Sequence, residues 1–511
     1  MNLRRLAWRN FWFHRRALLG VALGAMITAA ILTGALATGD SVRYSLRQMA
    51  LARLGKIDFA LAPHERLFRA QLAEEISNEL KTIVAPALIL TGTAKTPNGK
   101  ERANGVQLCG VDNTFWQLGN EINDPGDGVI LNLRLATQLN AKSGDQVVIR
   151  VEKPTFLGRD APLSRDEESS AALFLEVKKI LPDSGFGRFS LQANQVPPYN
   201  AFVNLQELQA AVEQKGRANQ ILISGATKEA AEAALTNHFS IEDTGAYWQK
   251  IPSQNALELR TQRVFLDSLI ADAALSQSGA KPVTTYFVNS IATRGRSIPY
   301  SMVAGVDGSP LPPSMGTNEI ALNEWAARDL GAKVGDKITI KYFVMGPRRQ
   351  LEEKQADFRL RSIVPLSGAA RDPALMPDFP GIAGAENCRD WEPGMSVNLD
   401  RIRPQDEKYW DAYKGTPKAF LIQRIAANLW ENRWGEITAV RYPLSADQTK
   451  MEAKILQSAR PDALGLHFMA VRTDALAAGS QGFDFGGLFI AFSFFLIVSA
   501  LLLTALLFAL N

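Results

Sequence analysis

Cysteine and histidine are scarce in this chain of 511 residues: Cys109 and Cys388, and His14, His64, His238 and His467. Two cysteines exclude a disulfide framework and any Cys-rich metal module. A single Cys109–Cys388 bridge is left open, because geometry and not sequence decides it. The four histidines are far apart and lie in no His-Glu-x-x-His or Cys-x-x-Cys pattern, so no metal site is expected. There is no Gly-x-x-x-x-Gly-Lys-Ser/Thr to cradle a nucleotide, and no Gly-x-Ser-x-Gly. Cys388, in Asn387-Cys388-Arg389-Asp390-Trp391, has no neighbouring base to activate its thiol, and pairing of Arg389 with Asp390 is the ordinary expectation there. No catalytic residue, cofactor or metal ligand is therefore assigned, and an enzyme is not expected. Net charge is also small, at +4, which argues against a nucleic-acid surface.

What is present is uneven hydropathy. Two runs carry no charge, Ala17–Thr38 and Gly486–Leu510. As helices they would span about 33 and 37 Å, enough for a hydrocarbon core of about 30 Å. The first follows Arg4, Arg5, Arg9, Arg15 and Arg16, with no acidic residue before it. That layout also suits a secretory signal, and Ala35-Leu36-Ala37 resembles a cleavage site. The run is longer than the roughly 7–15 residues of a signal core, which favours an uncleaved span. Basic flanks resist translocation, so the N-terminus is expected in the cytoplasm and the long middle region outside. That region holds 51 basic and 52 acidic residues.

The expected organisation is a basic cytoplasmic tail (1–16), a first span (17–38), a stalk helix (39–60), an extracytoplasmic domain (61–485) and a second span (486–510). The stalk rests on Val42, Leu46, Met49, Leu51 and Leu54 at roughly helical spacing, with Gly55 as a stop. An amphipathic membrane-surface helix is the rival reading of this stretch. Small residues at Gly20 and Gly24 suit close helix packing. Gly482, Gly486 and Gly487 are hinge candidates, with a flexible helix start as the plainer alternative. Trp391, Trp410, Trp430 and Trp434 are expected mostly in a core. Ending at Asn511 suggests the front part of a longer membrane protein.

The middle region repeats itself. VILNLRLATQLNAKSGDQVVIRV at 129–151 aligns without gaps to IALNEWAARDLGAKVGDKITIKY at 320–342. Each copy follows a Gly-Val-Asp (110–112; 305–307) and precedes an apolar strand and turn (180–185; 363–368). One copy reads as a short strand ending in Asn, then a short helix with Leu133, Leu135, Ala136 and Leu139 roughly on one side. A turn built on Gly144-Asp145 or Gly335-Asp336 then launches an alternating strand. Glycine supplies a conformation other residues resist, so these positions read as turns and not ligands. The fold class is α+β, with repeated units near 105–225 and 300–370.

These residues resemble the periplasmic core domain of ABC transporter permeases of the FtsX-like / MacB-like family. The signature is the duplicated Leu-Asn…Gly-Asp element set after a basic tail and one span. Asn219–Ile223 resembles a later strand of that domain. Gly381–Trp391 and Gly415–Phe420 resemble a subgroup with an enlarged loop. The resemblance implies an inner-membrane permease subunit that pairs with a cytoplasmic ATPase and a second permease subunit, the same or different. It implies an outer domain driven by ATP hydrolysis elsewhere to export or extract a substrate. A membrane-anchored extracytoplasmic receptor or envelope scaffold without transport is the alternative.

Overall fold

The structure is a computed structural model, described for residues 3–63, 66–119, 123–154, 170–183, 186–192, 194, 196–345, 350–391, 397–481 and 485–509. It opens with α1 (Leu3–Phe13) and α2 (Arg15–Leu54). The first unit runs β1 (Phe59–Leu61), β2 (Phe68–Arg69), α3 (Gln71–Leu80), β3 (Val84–Lys95), β4 (Arg102–Val111), α4 (Asn113–Gln117), β5 (Val129–Asn132) and α5 (Leu133–Leu139). It continues with β6 (Gln146–Glu152), β7 (Ser170–Leu181), β8 (Tyr199–Asn204), α6 (Leu205–Ala211), β9 (Arg217–Ala218), β10 (Gln220–Ile223) and α7 (Lys228–His238). The second unit runs β11 (Ala246–Ile251), β12 (Ala256–Thr261), α8 (Ser268–Leu275), β13 (Lys281–Thr293), β14 (Arg296–Val306), β15 (Glu319–Asn323) and α9 (Glu324–Leu330). Then come β16 (Lys337–Met345), β17 (Leu351–Val364), α10 (Pro404–Tyr413), β18 (Ala419–Ile422), α11 (Gln423–Trp430), β19 (Ala439–Pro443) and α12 (Gln448–Ser458). Helices α13 (Val471–Gln481) and α14 (Phe485–Ala509) close the chain.

Each unit is a closed ring of six strands with a short sheet attached. In the first, β3-β4-β8-β5-β7-β6 returns to β3, where Gly92 pairs with Val151. In the second, β13-β14-β18-β15-β17-β16 returns to β13, where Ile291 pairs with Ile340. The same pairs are parallel in both: β4 with β8 and β5 with β7, then β14 with β18 and β15 with β17. Closure leaves the ring without free edges, and apolar residues alternate into it. Val106, Leu108, Leu131 and Ile149 fill the first ring, and Phe287, Met302, Leu322 and Ile340 the second. The repeat is thus longer than the sequence match. The second copy does not end at 370, because its sixth ring strand, β18, returns only after an insertion at 365–418 where the first unit has 182–198.

The repeated motif explains its own residues. Asn132 is fully buried at the end of β5; its Oδ1 accepts from Leu135 N and Asn200 N, and its Nδ2 donates to the carbonyls of Gly187 and Pro198. Asn323 repeats this: Oδ1 accepts from Ala326 N, and Nδ2 donates to Tyr409 Oη and the Pro417 carbonyl. One side chain both caps a helix and holds the sixth strand. Gly144 and Gly335 have φ of 93° and 97°, and their N–H groups donate to Val177 O and Leu360 O at 2.8 Å. Asp145 and Asp336 accept from Lys142 N and Lys333 N at 2.7 Å. The helix between presents Leu135, Ala136 and Leu139 inward, whereas Leu133 is exposed, contrary to the four-residue face expected from sequence.

The attached sheets and helices α3, α7, α8 and α12 share one core. Leu72, Ile76, Ile223 and Leu235 of the first unit join Leu259, Ile270, Val440 and Ile455 of the second. Arg66 pairs with Asp267 at 2.6 Å across this contact. Ion pairs tie the insertion to α9 and β19 of the second unit and brace it internally. Arg441 Nη1 reaches Asp372 at 2.6 Å, Arg403 bridges Asp329 and Asp406 at 2.7 Å each, and buried Lys418 lies 3.4 Å from Asp406. Burial pushes the Lys418 ammonium down against the attraction of Asp406. Burial alone would raise Asp406; hydrogen bonding to Arg403 and the charge of Lys418 outweigh it and hold the carboxyl below its usual range.

Two outcomes follow for stability, both read by chemical unfolding in detergent. Asn132→Ala and Asn323→Ala each remove a cap and strand ties, and each is expected to cost about 2 kcal/mol. Asp406→Asn strands Lys418 and is expected to cost about 3 kcal/mol, partly recovered by adding Lys418→Met. The depressed Asp406 carboxyl contributes stability above the unfolded carboxylate range. That stability is lost as pH falls through the lower folded value, so wild type should weaken below about pH 4 and Asp406→Asn should lack this step.

Candidate functional site

Among the described residues one helix is long and apolar enough to cross a membrane, Leu18–Leu54, with a mean hydropathy of 2.0 over its most apolar window. It belongs to α2, whose 40 residues extend about 60 Å. About 30 Å suffices for a hydrocarbon core, about half of that length. Val42 and Leu46 are half-buried, Leu54 is buried and Met49 is exposed. Helix α14 packs along α2, and α13 lies against it nearer the domain. The helix ends at Leu54, short of the stalk limit of 60 expected from sequence, and strand begins at Phe59.

Gly55 sets that end. Its φ is 55°, and its N–H donates to Leu51 O at 2.9 Å. A Cβ there would lie 2.5 Å from Leu118 O and 2.7 Å from the Phe186 ring, so only glycine lets the helix end seat against the first unit. The chain then turns into Asp58, which collects three partners. Its Oδ1 accepts from Arg472 Nε at 2.6 Å, its Oδ2 accepts from Gly225 N at 2.8 Å, and its N–H donates to Ile223 O at 2.8 Å. Arg472, in the first turn of α13, also donates Nη2 to the Gly55 carbonyl at 2.6 Å. Ala60 and Met469 exchange backbone hydrogen bonds of 3.0 and 2.9 Å. The outgoing and returning chains are thereby stitched at one place. The Arg53 guanidinium adds a hydrogen bond to Gln192 O.

Beneath the stitch lies an aromatic socket. Phe115, Trp116, Phe186, Phe189 and Phe202 are all buried, with Phe115–Phe186, Phe115–Phe189 and Trp116–Phe202 centroids 4.8, 5.1 and 5.2 Å apart. Leu54 and Ile57 from the stalk end and Val471 and Ala475 from α13 pack into it. Such interlocked rings are stiff and well packed. Cys109 is part of this core, and burial pushes its thiol up to about 12 despite the hydrogen bond from Gln107. In the second unit the matching sheet face, with Ala304, Val306, Ala321, Val364 and Phe420, is covered by Ala370 and Leu375 of its own insertion. Among the described residues, the helices dock on the first unit.

The residues singled out from sequence distribute as follows. Arg4, Arg5 and Arg9 lie on α1 and Arg15 and Arg16 begin α2, all exposed. The tail is therefore helical over Leu3–Phe13. Gly24 is buried and Gly20 half-buried in α2. Gly144, Asp145, Gly335 and Asp336 form turns remote from the junction. Gly482 lies outside the described residues, as do His64 and Ser184-Gly185, while Gly486 and Gly487 stand inside the first turn of α14. Trp391, Trp410 and Trp430 are core residues of the second ring. Arg389 pairs with Glu407 at 2.7 Å and not with Asp390, because Asp390 instead accepts from Asn387. Both cysteines are free, and burial raises the Cys388 thiol to about 12 as well. Among the described residues no cluster of three metal-ligating side chains occurs. Sequence flagged Gly55 but missed Asp58 and Arg472, which are separated by 414 positions.

No protein-family model and no curated protein sequence matches the chain. Among solved structures it is similar to the periplasmic region of MacB from Actinobacillus actinomycetemcomitans, with 11% identity, 37% of this chain and 86% of that one covered, and a TM-score of 0.25. It is similar to the extracellular domain of the noncanonic ABC-type transporter YknZ from Gram-positive bacteria, with 13% identity, 35% and 93% covered, and a TM-score of 0.24. A permease domain from Porphyromonas gingivalis matches with 9% identity, 37% and 88% covered, and a TM-score of 0.24. Likenesses this slight carry no argument about function.

Arg472→Ala removes hydrogen bonds to Gly55 and Asp58, each side chain being about a quarter exposed. A loss of about 1–2 kcal/mol is expected, local to the junction. Hydrogen exchange should accelerate at Gly55–Ala60 and leave the second ring unchanged.

Proposed function

We propose that this chain is a permease subunit of an ABC transporter, in which a separate cytoplasmic ATPase drives motion of the extracytoplasmic domain. The observation that carries the reading is the junction. A continuous helix of 40 residues and the returning α13 meet on one rigid socket, held by Asp58 and Arg472. A displacement at the far end of α2 has no flexible segment in which to dissipate before it reaches the first unit. A tether for a passive receptor needs no such stitch. The duplicated Leu-Asn…Gly-Asp element supports the same reading through its resemblance to permease core domains.

In this reading α14 is the second span, the N-terminus is cytoplasmic and the two units are outside. The chain works beside a second permease subunit and performs no chemistry of its own. Purification of the chain from its native membrane tests this. An ATPase carrying Gly-x-x-x-x-Gly-Lys-Ser/Thr should co-purify. Addition of ATP to that complex should change hydrogen exchange in the first unit. Arg472→Ala should keep ATP hydrolysis and lose that change. Absence of any ATPase partner would favour a receptor or scaffold instead.

A further inference from the structure

The transporter reading leaves α1 without a role. None of its residues is buried: Leu3 and Phe13 are 83% and 84% exposed, and Leu6, Trp8, Phe11 and Trp12 are exposed as well. At about 100° per residue, Leu3, Leu6, Ala7, Phe11 and Phe13 fall on one half of the helix, with Asn10 among them. Arg4, Arg5 and Arg9 fall on the other, with Trp8 and Trp12 between Arg4 and Arg5. The first acidic residue in the chain is Asp40. One residue, His14, separates α1 from α2, and its backbone keeps the hydrogen bonds to Asn10 O and from Leu18 N at 3.0 Å each. Arg15 lies over the Trp12 ring at 5.5 Å.

We propose that α1 is an interfacial helix that docks onto anionic phospholipid headgroups of the leaflet through which α2 enters. Covalent continuity with the span holds α1 at headgroup depth, where its apolar half has acyl chains to cover it. Tryptophan is favoured at that depth, and arginine stems reach back to phosphate. Five guanidinium groups with no carboxylate among them match an anionic surface, each contributing roughly fivefold to residence there. A hydrophobic groove on a protein partner would cover the apolar half equally but would give the arginines no general counter-charge. The proposal rests on Ala17–Thr38 being a span, and not on the pairing with an ATPase.

The full chain tests it, because both native cysteines are buried and a new one can be labelled selectively. Leu6→Cys carrying an environment-sensitive fluorophore is reconstituted into vesicles of phosphatidylcholine, or of phosphatidylcholine with phosphatidylglycerol. Expected is a blue shift, quenching by lipid-borne quenchers and protection from aqueous iodide, with protection several-fold greater when phosphatidylglycerol is present. Arg5→Glu with Arg9→Glu should abolish that difference. Equal protection in both lipids, or full iodide access in both, would overturn the proposal. Failure of the transporter reading would show instead as a missing ATPase and would leave this result unchanged.

Discussion

The carboxylate of Asp58 is the point on which the molecule's mechanics depend. It binds the guanidinium of Arg472 and the backbone of Gly225, while Arg472 also takes the Gly55 carbonyl. Three segments far apart in sequence thus share one small polar knot over a floor of packed aromatic rings. A charge-assisted hydrogen bond is stronger than a neutral one, and directional. The knot therefore fixes the angle at which α2 meets the domain as well as its position. Without it, Gly55 alone would be a swivel.

The duplication accounts for most of the remaining architecture. Two rings with the same strand order and the same two parallel pairings grow from one motif, and its Gly-Asp turn and its buried, helix-capping asparagine recur in both. The copies diverge where they meet other things. The first exposes its sheet face to the stalk and α13, while the second covers the equivalent face with its insertion, held by Asp372, Asp406 and Lys418. One unit is thus fastened to the helices. The other hangs from it through a shared apolar core.

What the sequence made legible was local. The Gly-Asp turns, the Asn at the strand end, the long apolar helix and the stop at Gly55 are each set by a few adjacent residues. Hydropathy and backbone preference report them directly. The six-strand closure was not legible, because β3 and β6 meet by register and not by any motif. The extent of the second repeat was hidden by the insertion, which carries β18 far from β17. Leu133 was misplaced because a helix of two turns has only one inward edge. The Asp58–Arg472 contact left no local trace, and neither did the socket, whose aromatics come from α4, the 186–189 turn and β8.

The end of α2 and the first unit are expected to move as one body. Pulsed dipolar spectroscopy between spin labels on Arg47→Cys and Lys100→Cys measures this in the reconstituted full chain. A single narrow distance is expected, unchanged by nucleotide added with whatever ATPase co-purifies, and broadened by Asp58→Asn with Arg472→Ala. A broad or nucleotide-dependent distance in the otherwise native chain would contradict the account.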